Sequence, residues 1–163
     1  MAHTGKHLCL TVTANITYKN QVLLVFHKQY KSWFPPGGHL EIEEDPESAI
    51  YREILEETSL TKTNLLPVNV TYMPEEDIFS DMKGKNLLTP LYLDIHEVGA
   101  DIKHVGMRFF FTSNKKEVAS LDKDIKELKW FSGMELNSSR YNLRKHVHFY
   151  GITALKLSQQ ENP

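Results

Sequence analysis

Cysteine is almost missing from this chain. Cys9 is the only one among 163 residues, which excludes an internal disulfide and with it the stapled scaffolds of small secreted proteins. Its setting, Leu8-Cys9-Leu10, reads as a small buried residue rather than a nucleophile and fits a reducing, cytoplasmic location. No apolar run approaches the roughly twenty residues of a membrane span, and MAHTGKHLCL lacks a basic segment followed by an apolar stretch, so neither a membrane partner nor a signal peptide is expected. Charge of one sign is not in surplus either. With 19 Lys and Arg against 21 Asp and Glu, net −2, the chain has no basic footprint that would call for a nucleic-acid duplex. Repeats, low-complexity tracts and linkers are also missing. Residues 1–163 are therefore expected to form a single domain with one core. Whether it forms a homodimer stays open.

What is present is a readable succession of elements. Leu8 to Ala14 and Gln21 to His27 are β-prone, with Lys19-Asn20 as the turn between them, which predicts a hairpin. Trp33-Phe34 reads as a short strand. Pro35-Pro36-Gly37-Gly38 is expected to be irregular, because proline removes a donor and glycine permits positive φ. Asp45-Pro46 has the form of an N-cap followed by proline at the first helical position, opening a helix that should run to about Thr58. Leu65 to Met73, Pro90 to His96, Val105 to Thr112 and Leu128 to Ser132 read as further strands, with a charged connection from Lys115 to Lys126. Leu143, Val147, Tyr150, Ala154 and Leu157 recur at helical spacing, and the tail SQQENP is expected to fray. Strands on both sides of the first helix suggest an α/β fold, a mixed sheet packed between helices.

That first helix crowds Glu53, Glu56 and Glu57 onto one arc, with Ile50, Tyr51, Ile54, Leu55 and Thr58 on another. Ala49 falls among the glutamates, as a low spot where a ligand could approach the backbone. Like charges three or four apart each cost roughly 0.2–0.5 kcal/mol. A face selected for solubility would interleave lysines, and none occurs from Pro46 to Leu60. Arg52 lies four residues before Glu56, where it can hold that carboxylate through a charge-assisted hydrogen bond. A hard divalent cation, which takes oxygen ligands, would turn the repulsion into attraction, and the glycine turn before the helix could add a carbonyl.

The fixed positions sharpen this. Gly38, then Glu44, then Arg52-Glu53-Ile54-Leu55-Glu56-Glu57-Thr58-Ser59-Leu60 resembles the signature of the Nudix hydrolases, G-x5-E-x7-R-E-U-x-E-E-x-G-U with U aliphatic. Ser59 stands where that signature has glycine, which puts the left-handed end of the helix in question more than the chemistry. The resemblance implies an α/β/α sandwich over almost the whole chain. It also implies hydrolysis of the pyrophosphate linkage in a small-molecule nucleoside diphosphate derivative, with Mg2+ or Mn2+ as cofactor. Carried over by position, Glu53, Glu56 and Glu57 would be metal ligands together with the Gly38 carbonyl. Glu53, Arg52 and Glu56 would be the catalytic group, with Glu53 as first candidate for the base, Arg52 orienting a glutamate and Glu44 in support. The ions would neutralise the diphosphate, align it and acidify a water.

An acid outside this segment often assists in the family. Asp122, Asp124 and Glu127 are the candidates, followed by Asp94, His96 and Glu97 at a strand end, where an ordinary sheet-edge role serves equally well. The stretches PPGGHLE and LYLDIHEVGADIKHVGMRFFF are similar to a bacterial subgroup with a histidine after the double glycine and an Asp-x-His strand. That subgroup has an aspartate two positions before an Arg-Phe pair; Gly106 stands there, so a ligand role for it does not transfer. His39 adjoins the glycine turn and, with Gly38, is assigned to substrate binding. His146 with His148 and His96 with His104 invite a metal-site reading; the first two are two apart on a helix and point in different directions, which favours a structural reading for that pair. Tyr18, Trp33, Phe34 and Phe109-Phe110-Phe111 offer stacking surfaces that core packing explains equally well.

A non-catalytic Nudix-fold nucleotide sensor is the alternative, disfavoured by the intact Arg52, Glu53, Glu56 and Glu57. Isopentenyl diphosphate isomerase shares the fold but needs a cysteine and glutamate pair in the pocket, and Cys9 has no evident partner. Pro74 loosely resembles a feature of ADP-ribose-hydrolysing members, although a proline between strand and loop has a simpler structural explanation. The leaving group is not fixed by fold and motif.

Overall fold

Lys19 and Asn20 both take positive φ, 41° and 60°, as a two-residue I′ hairpin turn requires. They join β1 (His7–Tyr18) to β2 (Gln21–His27) with Thr17 opposite Val22. The structure, a computed structural model, describes residues 7–68, 79, 81–99 and 101–161. Among these are β3 (Ser32–Phe34), β4 (Gly37–His39), β5 (Leu65–Pro67), β6 (Tyr92–Glu97), β7 (Ile102–Ser113) and β8 (Ile125–Ser132), with α1 (Pro46–Thr58), α2 (Gly133–Leu136) and α3 (Lys145–Glu161).

The sheet is mixed. β1 runs parallel to β7, and β4, β6, β5, β3 and β8 add antiparallel neighbours. After the hairpin β1 and β2 part, so β2 continues on β3 and β8 while β1 takes β4 along its first half. Alternation then sends successive residues to opposite faces. Val12, Ala14, Ile16, Phe109 and Phe111 pack under Ile50 and Ile54 of α1, whereas Val22, Leu24, Phe110 and Phe131 pack against Val147, Ala154 and Leu155 of α3. The run Phe109-Phe110-Phe111 is thus divided between two cores rather than presented to a ligand. Gly151 lets α2 approach α3: a Cβ there would lie 3.2 and 3.3 Å from the two Leu136 methyls. No described helix is long and apolar enough to cross a membrane.

Several expectations need correction. Pro35 to Gly38 is not wholly irregular, since Gly37–His39 forms β4, its backbone groups paired with Thr11, Val12 and Thr13. β1 runs on to Tyr18 because its second half is covered on both faces. β7 and β8 each begin three residues earlier than their apolar cores suggest, because β1 and β2 supply ladder partners for Ile102 and Ile125. The tail does not fray at Ser158: α3 continues to Glu161, and Gln159 donates to Asn20 at 2.9 Å. Leu55 is 42% exposed, while Ala49 is fully buried because the helix face it shares lies on β1 and β4, so it offers no open approach. Cys9 is half-buried, on the strand face opposite the α1 core. Residues 69–73 of the strand expected to start at Leu65, and Pro74, lie outside the described residues.

Candidate active site

The site starts from the two ends of α1. Asp45 caps the first, accepting from the backbone N–H groups of Glu47 and Ser48 at 3.0 Å, with Pro46 at the first helical position. At the other end Ser59 adopts the left-handed conformation, φ 59°, that the signature glycine takes without strain. Its hydroxyl donates to the Ala119 carbonyl at 2.6 Å. Ala119, Leu121 and Asp122 also donate backbone N–H groups to the carbonyls of Thr58 and Glu56. The charged connection is thereby strapped across the end of the helix, which brings Asp122 to the glutamates.

Between these ends, Arg52 organises the acids. Its Nε and Nη2 donate to both oxygens of Glu44 at 2.9 Å, and its Nη1 donates to Glu53 at 2.8 Å and to Glu56 at 3.3 Å. Nη2 also reaches the His39 carbonyl at 3.0 Å, so the end of β4 is tied to the helix. These bonds and the charge of Glu53 hold the guanidinium protonated. Glu44, gripped first by that hydrogen bond, has its pKa lowered. Glu53 lies against Gly38, where a Cβ would come within 2.7 Å of the carboxylate carbon. Burial raises its pKa, against the opposing pull of Arg52.

Glu57 is only 3% exposed. It accepts from the Gly37 N–H at 3.0 Å and has His27 Nε2 at 3.6 Å. Burial is the largest influence on it; Glu53, Asp122 and Glu56 add repulsion against the help of the Gly37 bond, and its pKa is pushed up to about 8. His27 is shifted down by burial, partly opposed by Asp122 and Asp124. Near neutral pH that contact therefore joins a carboxylic acid to a neutral imidazole rather than forming an ion pair.

These groups open on a cavity of about 520 Å³, whose lining includes Glu53, Glu57, Arg52, Gly38 and His39. Glu56, half-exposed, sits outside that lining on the adjoining helix surface. Of the three outer acids, Asp122 and Asp124 line the cavity, whereas Glu127 lies in a separate pocket with Trp33 and Arg140. On the far wall, Asp94 is not a free acid. It accepts from Arg108 at 2.8 and 3.0 Å and from the Tyr150 hydroxyl at 3.0 Å, and pairs with His96 Nδ1 at 2.9 Å. Burial works against its charge, but Arg108 and His96 hold its pKa down to about 2. Glu97 lies at the sheet edge, 3.5 Å from Lys103.

His146 and His148 point apart, as a helix dictates, yet His146 reaches the cavity while His148 pairs with Asn137 at 2.9 Å. His27, Tyr30, Arg108 and Tyr150 also line it and were not singled out from the sequence. Only Arg108 carried a hint, as a charged residue inside an otherwise apolar strand. Phe34 and Tyr30 meet edge-on at 5.7 Å in the cavity lining, which Tyr150 shares, whereas Trp33 belongs to the core and Tyr18 packs against Trp130.

The donor set suits a hard divalent cation. Glu57, buried, and Glu53, half-buried, both with raised pKa values, lie one helical turn apart and line the cavity, with Glu56 on the adjoining surface and no lysine among them, and positive charge is what would stabilise their ionised forms.

The family model described as the NUDIX domain matches residues 8–150. A Nudix-family hydrolase from Clostridium perfringens is 30% identical, with 91% of this chain and 97% of that one covered and a TM-score of 0.73. A MutT Nudix hydrolase from Burkholderia pseudomallei is 20% identical over 93% and 98% of the two chains, TM-score 0.61. A bifunctional NMN adenylyltransferase/ADP-ribose pyrophosphatase from Francisella tularensis, complexed with AMP and a manganese ion, is 23% identical over 94% of this chain and 42% of its own, TM-score 0.58. No curated protein matches the chain.

Proposed function

Because the chain belongs to the Nudix hydrolase family, we propose that it cleaves the pyrophosphate linkage of a nucleoside diphosphate derivative, using Mg2+ or Mn2+ held by Glu53, Glu56, Glu57 and the Gly38 carbonyl. The observation that carries this reading is the placement of half-buried Glu53 and buried Glu57 together at the cavity wall, with Glu57 pushed up to about 8. Such a pair is unfavourable unless a cation shares it. Bound there, the cation supplies charge neutralisation for the diphosphate and acidity for a water.

The chain's own groups do the rest. The Gly37 N–H fixes the rotamer of Glu57, and Arg52 fixes Glu53 and Glu44 together. Glu53, with its pKa raised by burial, is the group that takes up a proton from the attacking water. Asp122, strapped to the end of α1 and lining the cavity, is the outer acid that assists. His39 and Gly38 contact the substrate beside the glycine turn, and Tyr30, 56% exposed, offers the base a ring to stack on. The ADP-ribose pyrophosphatase activity named for the Francisella neighbour makes ADP-ribose a substrate to try, beside nucleoside triphosphates, dinucleoside polyphosphates and nucleotide sugars. We take residues 1–163 to act as one domain on a small molecule, with no part for a nucleic-acid duplex or a membrane.

A panel of nucleoside diphosphate derivatives, incubated with Mg2+ or Mn2+ and followed by phosphate or nucleotide release, tests it. At least one compound turns over only with metal, and Glu56→Gln lowers kcat by about two orders of magnitude or more, as removal of a major electrostatic group should. Silence across a broad panel would instead support a ligand-binding sensor, and full activity in Glu56→Gln would remove that residue from the mechanism.

A further inference from the structure

Strand register places four metal-capable side chains on one sheet face, of which His39, His96 and His104 line the cavity and Cys9 lies beside it. Thr11 is opposite His39 in β4, Cys9 is opposite His104 in β7, and His104 is opposite His96 in β6. Residues paired across a ladder point the same way, and Cys9 and Thr11 are two apart on one strand, so Cys9, His39, His104 and His96 all project from that face. The Nε2 atoms of His39 and His104 are 3.2 Å apart, and one ligand atom from each of Cys9, His39 and His104 lies within 4.8 Å of the other two.

We propose that Cys9, His39 and His104 form a second metal site, for a borderline-soft divalent cation of the Zn2+ kind. Zinc takes Zn–N bonds of about 2.0–2.1 Å and Zn–S bonds of about 2.3 Å, so a tetrahedral site has N···N edges of about 3.3 Å and N···S edges of about 3.6 Å. The imidazole pair already stands at the first spacing, and the thiol closes to the second with a side-chain movement on the order of 1 Å. A hydrogen bond between two Nε2 atoms needs opposite tautomers in the two rings. A cation instead accepts both lone pairs and the thiolate at once. Three protein ligands leave a fourth position for water or a substrate atom, and His39 and His104 both line the cavity.

Softness separates this site from the all-oxygen glutamate cluster. Thiolate and imidazole select Zn2+ over Mg2+ and Mn2+, which the carboxylates hold. The two sites are also physically linked, because the His39 carbonyl accepts from Arg52, the residue that grips Glu53. The proposal does not rest on catalysis and survives if the hydrolase reading fails.

Cobalt titration of the whole chain, in excess Mg2+, tests it. Cys9 is the only cysteine, so any sulfur-to-cobalt charge transfer reports this site alone. We expect one equivalent of Co2+ to give that band with intense visible bands of a tetrahedral centre, and Zn2+ to displace it. Cys9→Ala abolishes the charge-transfer band, His104→Ala weakens binding at least about tenfold, and Glu57→Gln retains the band. In the unmutated protein, saturating Zn2+ slows alkylation of Cys9 at least about tenfold relative to Mg2+ alone, since a metal-bound thiolate is withdrawn from reaction. Absence of the charge-transfer band, a band indifferent to His104→Ala, or alkylation at the same rate with and without Zn2+ each overturns the proposal.

Discussion

Glu57 sets the pH behaviour of the site. Its proton is held more tightly in the folded protein, with the pKa raised from 4.5 to about 8. Between those values the folded state keeps a proton that the unfolded chain has released, so this residue's contribution to metal-free stability falls as pH rises through that window. Denaturant titrations in chelator should show Glu57→Gln to be more stable than wild type at about pH 8, by on the order of a few kcal/mol, with the difference shrinking towards about pH 5. An unchanged difference would contradict the burial argument. Metal and proton also compete for the same carboxylate. Calorimetric titration of Mg2+ should show apparent affinity rising with pH to about 8 and protons released on binding, both diminished in Glu57→Gln. Glu57 was placed in the site by the motif, but its protonation was not visible in the sequence. It arises from burial, with repulsion from Glu53, Asp122 and Glu56 added, and burial is set by tertiary packing rather than by neighbours in the chain.

At the scale of elements, β4 and α1 act as one unit. A Cβ on Gly38 would collide with the Glu53 carboxylate, which would have to give way against its hold by Arg52. Gly38→Ala should therefore lower kcat about tenfold or more by displacing a glutamate, with a smaller effect on metal-free stability; equal activity would show that Glu53 moves aside freely. At the end of α1, Ser59 endures a left-handed backbone costing about 1–2 kcal/mol, offset in part by a hydrogen bond worth about 0.5–1.5 kcal/mol. Thermal denaturation should rank Ser59→Gly no less stable than wild type and Ser59→Ala least stable, since alanine keeps the Cβ and loses the bond. The reverse order would refute that balance. The helix was legible from Asp45 to Ser59 because its caps and its periodicity are local signals. β4 was not, because glycines and prolines hide a strand whose partners, Thr11 to Thr13, come from the beginning of the chain.

Over the whole molecule, the alternation of strands and helices conveyed a mixed sheet between helices, and that architecture is what the structure has. The far wall of the cavity was not conveyed. Arg108, Asp94 and Tyr150 meet across three elements, and nothing local marks any of them as facing a ligand. Outer acids lay beyond reach for the same reason: Asp122 and Glu127 look alike in the sequence, and only the fold separates them, strapping Asp122 to the end of α1 and placing Glu127 in β8 at another pocket. Because a cation that binds the folded chain alone stabilises it by mass action, about 2.7 kcal/mol at a hundredfold excess over Kd, Mn2+ should raise Tm by about 5–10 °C in a chain of this size. Glu53→Gln should abolish most of that rise. The most direct test is anomalous scattering at the manganese edge from crystals grown with Mn2+ and a non-hydrolysable diphosphate. A manganese peak bridging Glu53, Glu56 and Glu57 to the diphosphate is the predicted result; a diphosphate bound with no metal at those carboxylates would contradict the account.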